Sequence, residues 1–188
     1  MLKGIIPYTH HLLKTTIHEG DIVVDATCGN GNDTLLLASL VGDTGQVYAF
    51  DIQKQAITTT KTLLDKHDHN QVTYIQDSHA KINEYIPKEH FGEIGGAVFN
   101  LGYLPRSDKQ IITTHESTIP AITYLLDYLK KGRLIVLVVY YGHDGGEDEK
   151  EAVLTFTKSL HQEEYTVLNY QFINQKNNPP FIIAIQKR

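Results

Sequence analysis

Val23-Val24-Asp25-Ala26-Thr27-Cys28-Gly29-Asn30-Gly31-Asn32-Asp33-Thr34 is the stretch that decides the fold of this chain. A short apolar run leads into two glycines, and an amphipathic segment, residues 32–40, follows them. Apolar runs of this length are typical of buried strands. Paired glycines let the backbone turn tightly and approach a ligand closely. The stretch therefore predicts a strand, a ligand-binding loop and a helix, in that order.

The rest of the chain repeats this alternation of strands and helices. Helices are predicted at residues 7–18, 32–40, 54–67, 81–86, 117–129 and 147–160, and strands at residues 21–26, 46–51, 71–76, 95–101, 134–141, 165–172 and 181–186. Such alternation indicates an α/β fold built on a parallel sheet. The last two strands have no helix between them, which favours a closing antiparallel hairpin. A seven-stranded, mostly parallel sheet with a C-terminal antiparallel hairpin resembles the Rossmann-like sheet of class I methyltransferases.

Length and composition restrict the class of protein. The 188 residues predict a single domain, 1–188, in which residues 1–20 form an N-terminal helical segment. No apolar run approaches the ~20 residues of a membrane helix, and the N-terminus lacks a signal-peptide pattern. The single cysteine, Cys28, excludes an internal disulfide and suits a reducing cytoplasm, and we interpret it as a small buried residue. The net charge of -5 argues mildly against a large nucleic-acid footprint.

An acidic residue ends the second predicted strand and suggests which ligand the glycine loop binds. Asp51 lies 20 residues after Gly31, a spacing at which an acid accepts hydrogen bonds from a ribose diol. A dinucleotide fingerprint would need a third glycine where this chain has Thr34, and Asp33 at the helix N-terminus would repel a pyrophosphate. S-adenosylmethionine has no phosphate and carries an ammonium and a sulfonium, which Asp25 and Asp33 would attract. We therefore expect S-adenosylmethionine rather than NAD, although Asp33 also suits a plain helix cap.

The carboxyl ends of the later strands are expected to complete the site, because ligands of open α/β sheets bind there. Asp77 and Ser78 follow strand three, where Asp77 would accept from the adenine amine and Ser78 would equally serve as a helix cap. Strand four ends in Asn100-Leu101-Gly102-Tyr103-Leu104-Pro105, which departs from the proline-rich motif of amino-group methyltransferases but keeps an Asn and an aromatic. Asn100 would accept from the target nitrogen and Tyr103 would stack on the substrate. A proline turn with no such role is the alternative.

Two further segments border the expected substrate entrance. Strand five leads into Tyr140-Tyr141-Gly142-His143-Asp144, a loop of aromatic, acidic and histidine side chains that suits a cationic amine. His143 is a candidate proton acceptor. Asn177 and Pro179 lie in the turn between the last two strands and are expected to fold over the same edge. No Cys or His spacing typical of a metal site is present, so no metal is predicted.

The segments DATCGNGNDT, DSH, NLGYLPRSDK, YYGHDGGEDEKEAV and NNPPFI together resemble the MnmM (YtqB-like) tRNA methyltransferases, small bacterial proteins once filed as rRNA methylases. The resemblance covers nearly the whole chain. It implies S-adenosylmethionine-dependent N-methylation of the 5-aminomethyl group of a wobble uridine, often 2-thiolated, in the anticodon stem-loop of tRNA. The product would be 5-methylaminomethyluridine. The sequence leaves a monomer or a homodimer open.

The resemblance and the residue patterns together define three sets of candidate site residues. The cofactor set is Asp25, Thr27, Gly29, Asn30, Gly31, Asn32, Asp33, Asp51, Gln53, Asp77, Ser78 and His79. The catalytic set is Asn100, Tyr103 and His143. The substrate set is Leu104, Pro105, Arg106, Tyr140, Tyr141, Gly142, Asp144, Asn177 and Pro179. RNA would further need a local basic surface, for which the candidates are Lys3, Lys14, Arg106, Lys109, Lys130, Lys131, Arg133 and Lys176.

Two alternatives stay open. The same cofactor site would serve a methyltransferase that acts on another RNA, such as rRNA, or on a small amine. A non-catalytic nucleotide- or RNA-binding module with a degenerate Rossmann-like fold is the alternative from another class. The glycines of the loop, Asp51 and the Asn-Leu-Gly-Tyr segment argue against such decay.

Overall fold

The computed structural model describes residues 1–104 and 111–188. The helices are α1 (Ile5–Thr16), α2 (Asn32–Val41), α3 (Lys54–Asp65), α4 (Ile82–Tyr85), α5 (His115–Tyr128) and α6 (Gly146–Ser159). The strands are β1 (Ile22–Asp25), β2 (Gln46–Phe50), β3 (Val72–Ile75), β4 (Ile94–Leu101), β5 (Leu129–Val139), β6 (Tyr165–Tyr170) and β7 (Phe181–Lys187). Short 3-10 helices lie at His79–Lys81 and Lys88–His90.

All seven strands form one sheet in the order β3-β2-β1-β4-β5-β7-β6. The pairs from β3 through β5 are parallel, and β7 runs antiparallel to both β5 and β6. The predicted α/β fold, with seven strands and a closing hairpin, is therefore confirmed. The strand order reverses between β1 and β4, and open α/β sheets bind ligands beyond the carboxyl ends of the strands at such a switch point.

The centre of the sheet is covered on both faces, and this burial fixes the positions of the strand ends. In β4, Phe99 packs into one hydrophobic cluster with Leu125 of α5, whereas Val98 packs into the opposite cluster with Leu13 of α1 and Leu37 of α2. Strands buried on both faces need near-continuous apolar sequence, which β4 and β5 have. Rigid neighbours on both sides hold the side chains that follow these strands.

The start of β5 was predicted wrongly. The sequence suggested residue 134, but the strand begins at Leu129, which pairs with Ile94. The register then shifts between Ile94 and Gly96, and Gly132 has a positive φ of 81°. A charged, glycine-containing start does not read as a strand in sequence, because strand patterns are recognised from alternating or continuous apolar residues.

Several helix bounds also differ from the expectation; helix α1, expected at residues 7–18, spans Ile5–Thr16, and α6 begins at Gly146 and not at residue 147. Helix α5 begins at His115, two residues before Ser117, after the extended residue Thr114. The short helix expected at residues 81–86 is a 3-10 turn, His79–Lys81, followed by α4. Caps and 3-10 turns move apparent helix ends by one or two residues. Within the described residues, no helix combines the length and apolar character that crossing a bilayer would need.

Candidate active site

A cavity of about 990 Å³ opens at the carboxyl end of the sheet. Residues that follow each of β1 to β5 contribute to its wall, as the switch-point rule predicts. Helix α1 adds Ile6 and His10 from the N-terminal segment. None of the described lining residues is a lysine or an arginine. A pyrophosphate would therefore meet acids without a compensating cation from the described wall.

The glycine loop between β1 and α2 forms the floor of the cavity. Gly29 and Gly31 have positive φ angles of 51° and 84°, which favour glycine. A Cβ on Gly31 would lie 3.0 Å from the Cα of Thr60 in α3, so a larger residue would displace that helix. The backbone N–H of Cys28 donates to the carbonyl of Phe50 at 2.8 Å, which ties the loop to the end of β2. Gly31 is thus required by the packing of the loop against α3, and Gly29 by its left-handed backbone.

Asp51 organises the loop and offers acceptors to a ligand. Its Oδ2 accepts from the backbone N–H of Gly29 at 3.0 Å and its Oδ1 from the backbone N–H of Gln53 at 2.9 Å. Burial raises the pKa of this carboxyl. Each carboxylate oxygen has lone pairs beyond the one used, so Asp51 can still accept from two hydroxyls. This geometry fits a ribose diol, and the neighbouring Ile52, which is half exposed in the cavity wall, offers an apolar surface for an adenine.

Asp25 lies beneath the loop and does not line the cavity. It is fully buried, and its carboxylate accepts from the Thr34 hydroxyl at 2.6 Å and from the backbone N–H of Thr27 at 3.2 Å. Burial and the charge of Asp33 raise its pKa. The structure therefore does not place Asp25 where it would contact a cofactor directly, and its hydrogen bonds shape the loop instead. Gly31 is also absent from the described wall.

Asp33 joins two elements that are far apart in sequence. Its Oδ1 lies 2.7 Å from Nε2 of His10 in α1, and its Oδ2 accepts from Nδ2 of Asn100 at 2.7 Å. All three residues line the cavity. The backbone N–H of Asn100 donates to Thr27 Oγ1 at 2.7 Å, so the end of β4 is fixed to the glycine loop as well. The cofactor and substrate halves of the predicted site are thus one connected structure.

The segment after β3 mixes a surface acid with a buried histidine. Hydrogen bonds from Tyr85 at 2.7 Å and Lys81 at 3.0 Å hold the pKa of Asp77 below its usual range. Ser78 accepts from the backbone N–H of Ala80 and caps the 3-10 turn, as its alternative interpretation proposed. Burial lowers the pKa of His79 to about 4, so the ring is neutral. Its Nδ1–H donates to the carbonyl of Ala26 at 3.1 Å, because a carbonyl can only accept.

Tyr103 and His143 face each other across the entrance. Their rings meet edge to face at a centroid separation of 5.6 Å. Nδ1 of His143 donates to the carbonyl of Asp144 at 2.9 Å, so its Nε2 is the unprotonated nitrogen of the neutral ring. This Nε2 is buried and has no hydrogen-bond partner among the described residues. It is therefore an acceptor that no described residue uses, in a side chain that lines the cavity.

A buried acid supports the segment between β4 and α5. Glu149 of α6 accepts from the hydroxyls of Thr113 and Thr118, each at 2.7 Å. Thr113 in turn accepts from the backbone N–H of Gly102 at 2.8 Å. Burial raises the pKa of Glu149. This support was not predicted, because a glutamate in an acidic first helical turn has the sequence pattern of a solvated helix N-terminus.

Most of the predicted site residues meet in this cavity, and a few do not. Those that line it are Thr27, Gly29, Asn30, Asn32, Asp33, Asp51, Gln53, Asp77, Ser78, His79, Asn100, Tyr103, Leu104, Tyr140, Tyr141, Gly142 and His143. Those described outside its wall are Asp25, Gly31, Asp144, Asn177 and Pro179. Pro105 and Arg106, and the basic candidate Lys109, lie outside the described residues. Lining residues that the sequence did not indicate include Ile6, His10, Ile52, Ile112, Thr113 and Asn178.

The sheet order, its reversed last strand and the acid-lined cavity at the switch point define a class I methyltransferase fold. The family model described as "Putative rRNA methylase" matches residues 47–186. A chloroplastic tRNA (mnm(5)s(2)U34)-methyltransferase of Arabidopsis thaliana is 38% identical over 98% of this chain and 70% of its own length. The chain therefore belongs to this methylase family, which confirms the resemblance found in the sequence.

Solved structures agree with this assignment. A "putative rRNA-methylase" from Clostridium thermocellum is 43% identical, with both chains covered completely and a TM-score of 0.95. A "putative methyltransferase" from Streptococcus mutans, solved in complex with SAH, is 41% identical over the full length of both chains, with a TM-score of 0.90.

Proposed function

We propose that this protein is an S-adenosylmethionine-dependent methyltransferase whose substrate is the 5-aminomethyl group of (2-thio)uridine at the tRNA wobble position. One observation carries the proposal: a single cavity joins the ribose-binding geometry of Asp51 to the amide of Asn100. The Arabidopsis relative bears the name of this modification and aligns with almost the whole chain. The SAH complex of the Streptococcus mutans relative supports the cofactor.

The residues of the cavity fit this cofactor. When bound, S-adenosylmethionine supplies a methyl group on a positively charged sulfur. Asp51 would hold the ribose diol, Ile52 would cover the adenine, and Asp33 supplies a carboxylate for the cationic end. The absence of lysine and arginine from the described wall suits a phosphate-free, cationic nucleoside better than a dinucleotide.

The substrate edge must first neutralise the target amine. An aliphatic amine is mostly protonated near pH 7, and a protonated nitrogen has no lone pair with which to attack a methyl group. Nε2 of His143 can accept the released proton, because Nδ1 is committed to the Asp144 carbonyl. Burial and the charge of Asp33 raise the pKa of Tyr140, so this phenol stays neutral. Tyr140 therefore lines the cavity and does not act as the base. Asn100 and Tyr103 would orient the amine and its base.

RNA recognition would rely on stacking and on a local basic surface. Tyr103 and Tyr140 are each 38% exposed at the entrance, and unpaired RNA bases stack on such aromatic side chains. Of the basic candidates, Lys130 and Arg133 instead contact the buried Asp21, at 3.4 and 3.2 Å, where β1 and β5 begin. They lie at the opposite end of the sheet from the cavity. Lys176, two residues from the lining residue Asn178, is the better placed candidate.

Methyl transfer from labelled cofactor would test the proposal. The acceptors are tRNA with the 5-aminomethyl group, the same tRNA without it, and rRNA, with nucleosides identified by mass spectrometry. We expect 5-methylaminomethyl product from the first acceptor alone, and loss of product with Asp51→Ala but not with Asp43→Ala, an exposed acid away from the cavity. Transfer to rRNA would favour the alternative that the family description suggests. No transfer to aminomethylated tRNA would overturn the assignment.

A further inference from the structure

Helix α1 contributes to the cavity a histidine that has no role in the site described so far. His10 lies outside the part of the chain that the family model matches, and its sequence neighbour His11 is exposed. Ile6, one helical turn before His10, also lines the cavity. Helix α1 therefore presents His10 to the site, packs Leu13 against the sheet and leaves His11 in solvent.

The hydrogen bonds around Asp33 fix the direction of the Asn100 amide. A carboxylate can only accept hydrogen bonds, so the group of Asn100 that lies 2.7 Å from Asp33 Oδ2 must be the NH₂. The carbonyl Oδ1 of Asn100 is then the acceptor that this amide offers to the cavity. A flipped amide would instead present N–H groups, which would bind the lone pair that the target amine needs for its attack.

Asp33 can hold the amide in this direction only while its own carboxylate is fixed. Its second oxygen, Oδ1, is engaged by His10 Nε2 at 2.7 Å, and its side chain is only 12% exposed, whereas that of His10 is 30% exposed. With one donor on each oxygen, rotation of the carboxylate would break both hydrogen bonds. His10 thus acts on Asn100 through Asp33, although it lies 90 residues away in sequence.

We propose that His10 is a positioning residue that, through Asp33, keeps the carbonyl oxygen of Asn100 directed at the amine substrate. The inference rests on the proposed function, because it assigns the oxygen of Asn100 to an N–H of the amine that is methylated. It makes α1 a part of the substrate site and not only a cover for the sheet. The three side chains form the His10–Asp33–Asn100 array.

Single-turnover methylation of aminomethylated tRNA at saturating cofactor tests the array. His10→Ala should lower the rate by about tenfold or more, because misplaced catalytic groups cost such factors. Saturating cofactor keeps any change in cofactor affinity, to which Asp33 also contributes, out of this rate. His10→Gln restores a donor nitrogen and should recover most of the rate, whereas the control His11→Ala should match the wild type. Asp33→Asn should be as slow as His10→Ala, and adding His10→Ala to it should cost little more.

A second readout separates this inference from the choice of substrate. The side-chain NH₂ signal of Asn100 in ¹⁵N-labelled protein, assigned by its loss in Asn100→Ala, should shift in His10→Ala and stay in place in His11→Ala. This measurement needs no substrate and therefore tests the array even if wild-type protein fails to methylate aminomethylated tRNA. An unmoved Asn100 signal, or a wild-type rate for His10→Ala in an active enzyme, would overturn the inference.

Discussion

At the scale of single residues, two acids hold the site together: Asp51 fixes the glycine loop to the end of β2, and Asp33 fixes α1 and β4 to the same loop. Asp51 could be found from its spacing to the glycine loop, because a strand end and a loop fix where such an acid must lie. The partners of Asp33 could not be found, since no strand–loop–helix motif relates His10 of α1 or Asn100 of β4 to the glycine loop. Only packing of α1 and β4 against the loop brings these side chains together.

The buried histidine of the site makes the stability of the fold depend on pH. Burial lowers the pKa of His79 to about 4, whereas a histidine in an unfolded chain titrates near 6.5. As the pH falls, His79 is therefore protonated in the unfolded state before it is protonated in the folded state. The contribution of neutral His79 to the unfolding free energy is complete above about pH 6.5 and is lost as the pH falls toward 4. Between about pH 7.5 and about pH 5 this amounts to about 2 kcal/mol of unfolding free energy.

Urea unfolding of His79→Asn at these two pH values measures the effect. The asparagine keeps an N–H for the Ala26 carbonyl but does not titrate, so the wild type should lose about 2 kcal/mol relative to this variant on acidification. His67→Asn, at an exposed position, should follow the wild type. Equal losses in wild type and His79→Asn would show that His79 is not the titrating group.

At the scale of elements, the sequence predicted which segments form strands and helices, but not how irregular pieces meet the site. The apolar run of β5 was recognised, while its charged beginning at residues 130–133 was not. The link from α6 to Gly102 was invisible, because it depends on Glu149 turning inward to two threonines of another segment. Glu149 is the buried member of a first helical turn that also contains Glu147 and Asp148, so the sequence pattern does not distinguish it from its exposed neighbours.

This link can be tested by removing its acid. Glu149→Ala leaves the hydroxyls of Thr113 and Thr118 without their acceptor, which should cost about 1–3 kcal/mol of unfolding free energy. The freed Thr113 would no longer fix Gly102, so we expect turnover to fall while the affinity for S-adenosylmethionine is retained. Denaturant unfolding, steady-state kinetics and calorimetry measure the three quantities. Glu151→Ala, exposed on the same helix, is the control, and a matching loss of stability in this variant would contradict the role of Glu149.

At the scale of the whole molecule, a mostly parallel seven-stranded sheet with a closing hairpin could be predicted from the alternation of strands and helices in the sequence, and the strand order and the charge distribution could not. The net charge of -5 gave no hint that Lys130 and Arg133 lie at the end of the sheet away from the cavity, whereas Lys176 lies near it. Lys130 and Arg133 neutralise the buried Asp21 at the amino end of the sheet, so they serve folding. Which lysines remain for RNA depends on which end of the sheet they occupy, and sequence alone does not give their partners.

Binding of aminomethylated tRNA at several salt concentrations would distinguish the role of Lys176 from that of Arg133. Lys176→Ala should weaken binding, and the slope of affinity against salt should fall by about one unit. Arg133→Ala should leave the affinity and the slope unchanged but lower the unfolding free energy, because Asp21 keeps a buried charge with one partner fewer. A salt slope reduced by Arg133→Ala and not by Lys176→Ala would place the RNA at the opposite end of the sheet.

The loop of β1 touches both halves of the cavity: Gly29 holds Asp51, and Thr27 holds the backbone of Asn100. If a ligand bound in one half displaces this shared loop, the affinity of the other half for its own ligand must change. By thermodynamic reciprocity, the factor by which the methyl donor changes the affinity for RNA equals the factor by which RNA changes the affinity for the donor. In that case the binding of the methyl donor and the binding of RNA would be coupled before methyl transfer begins.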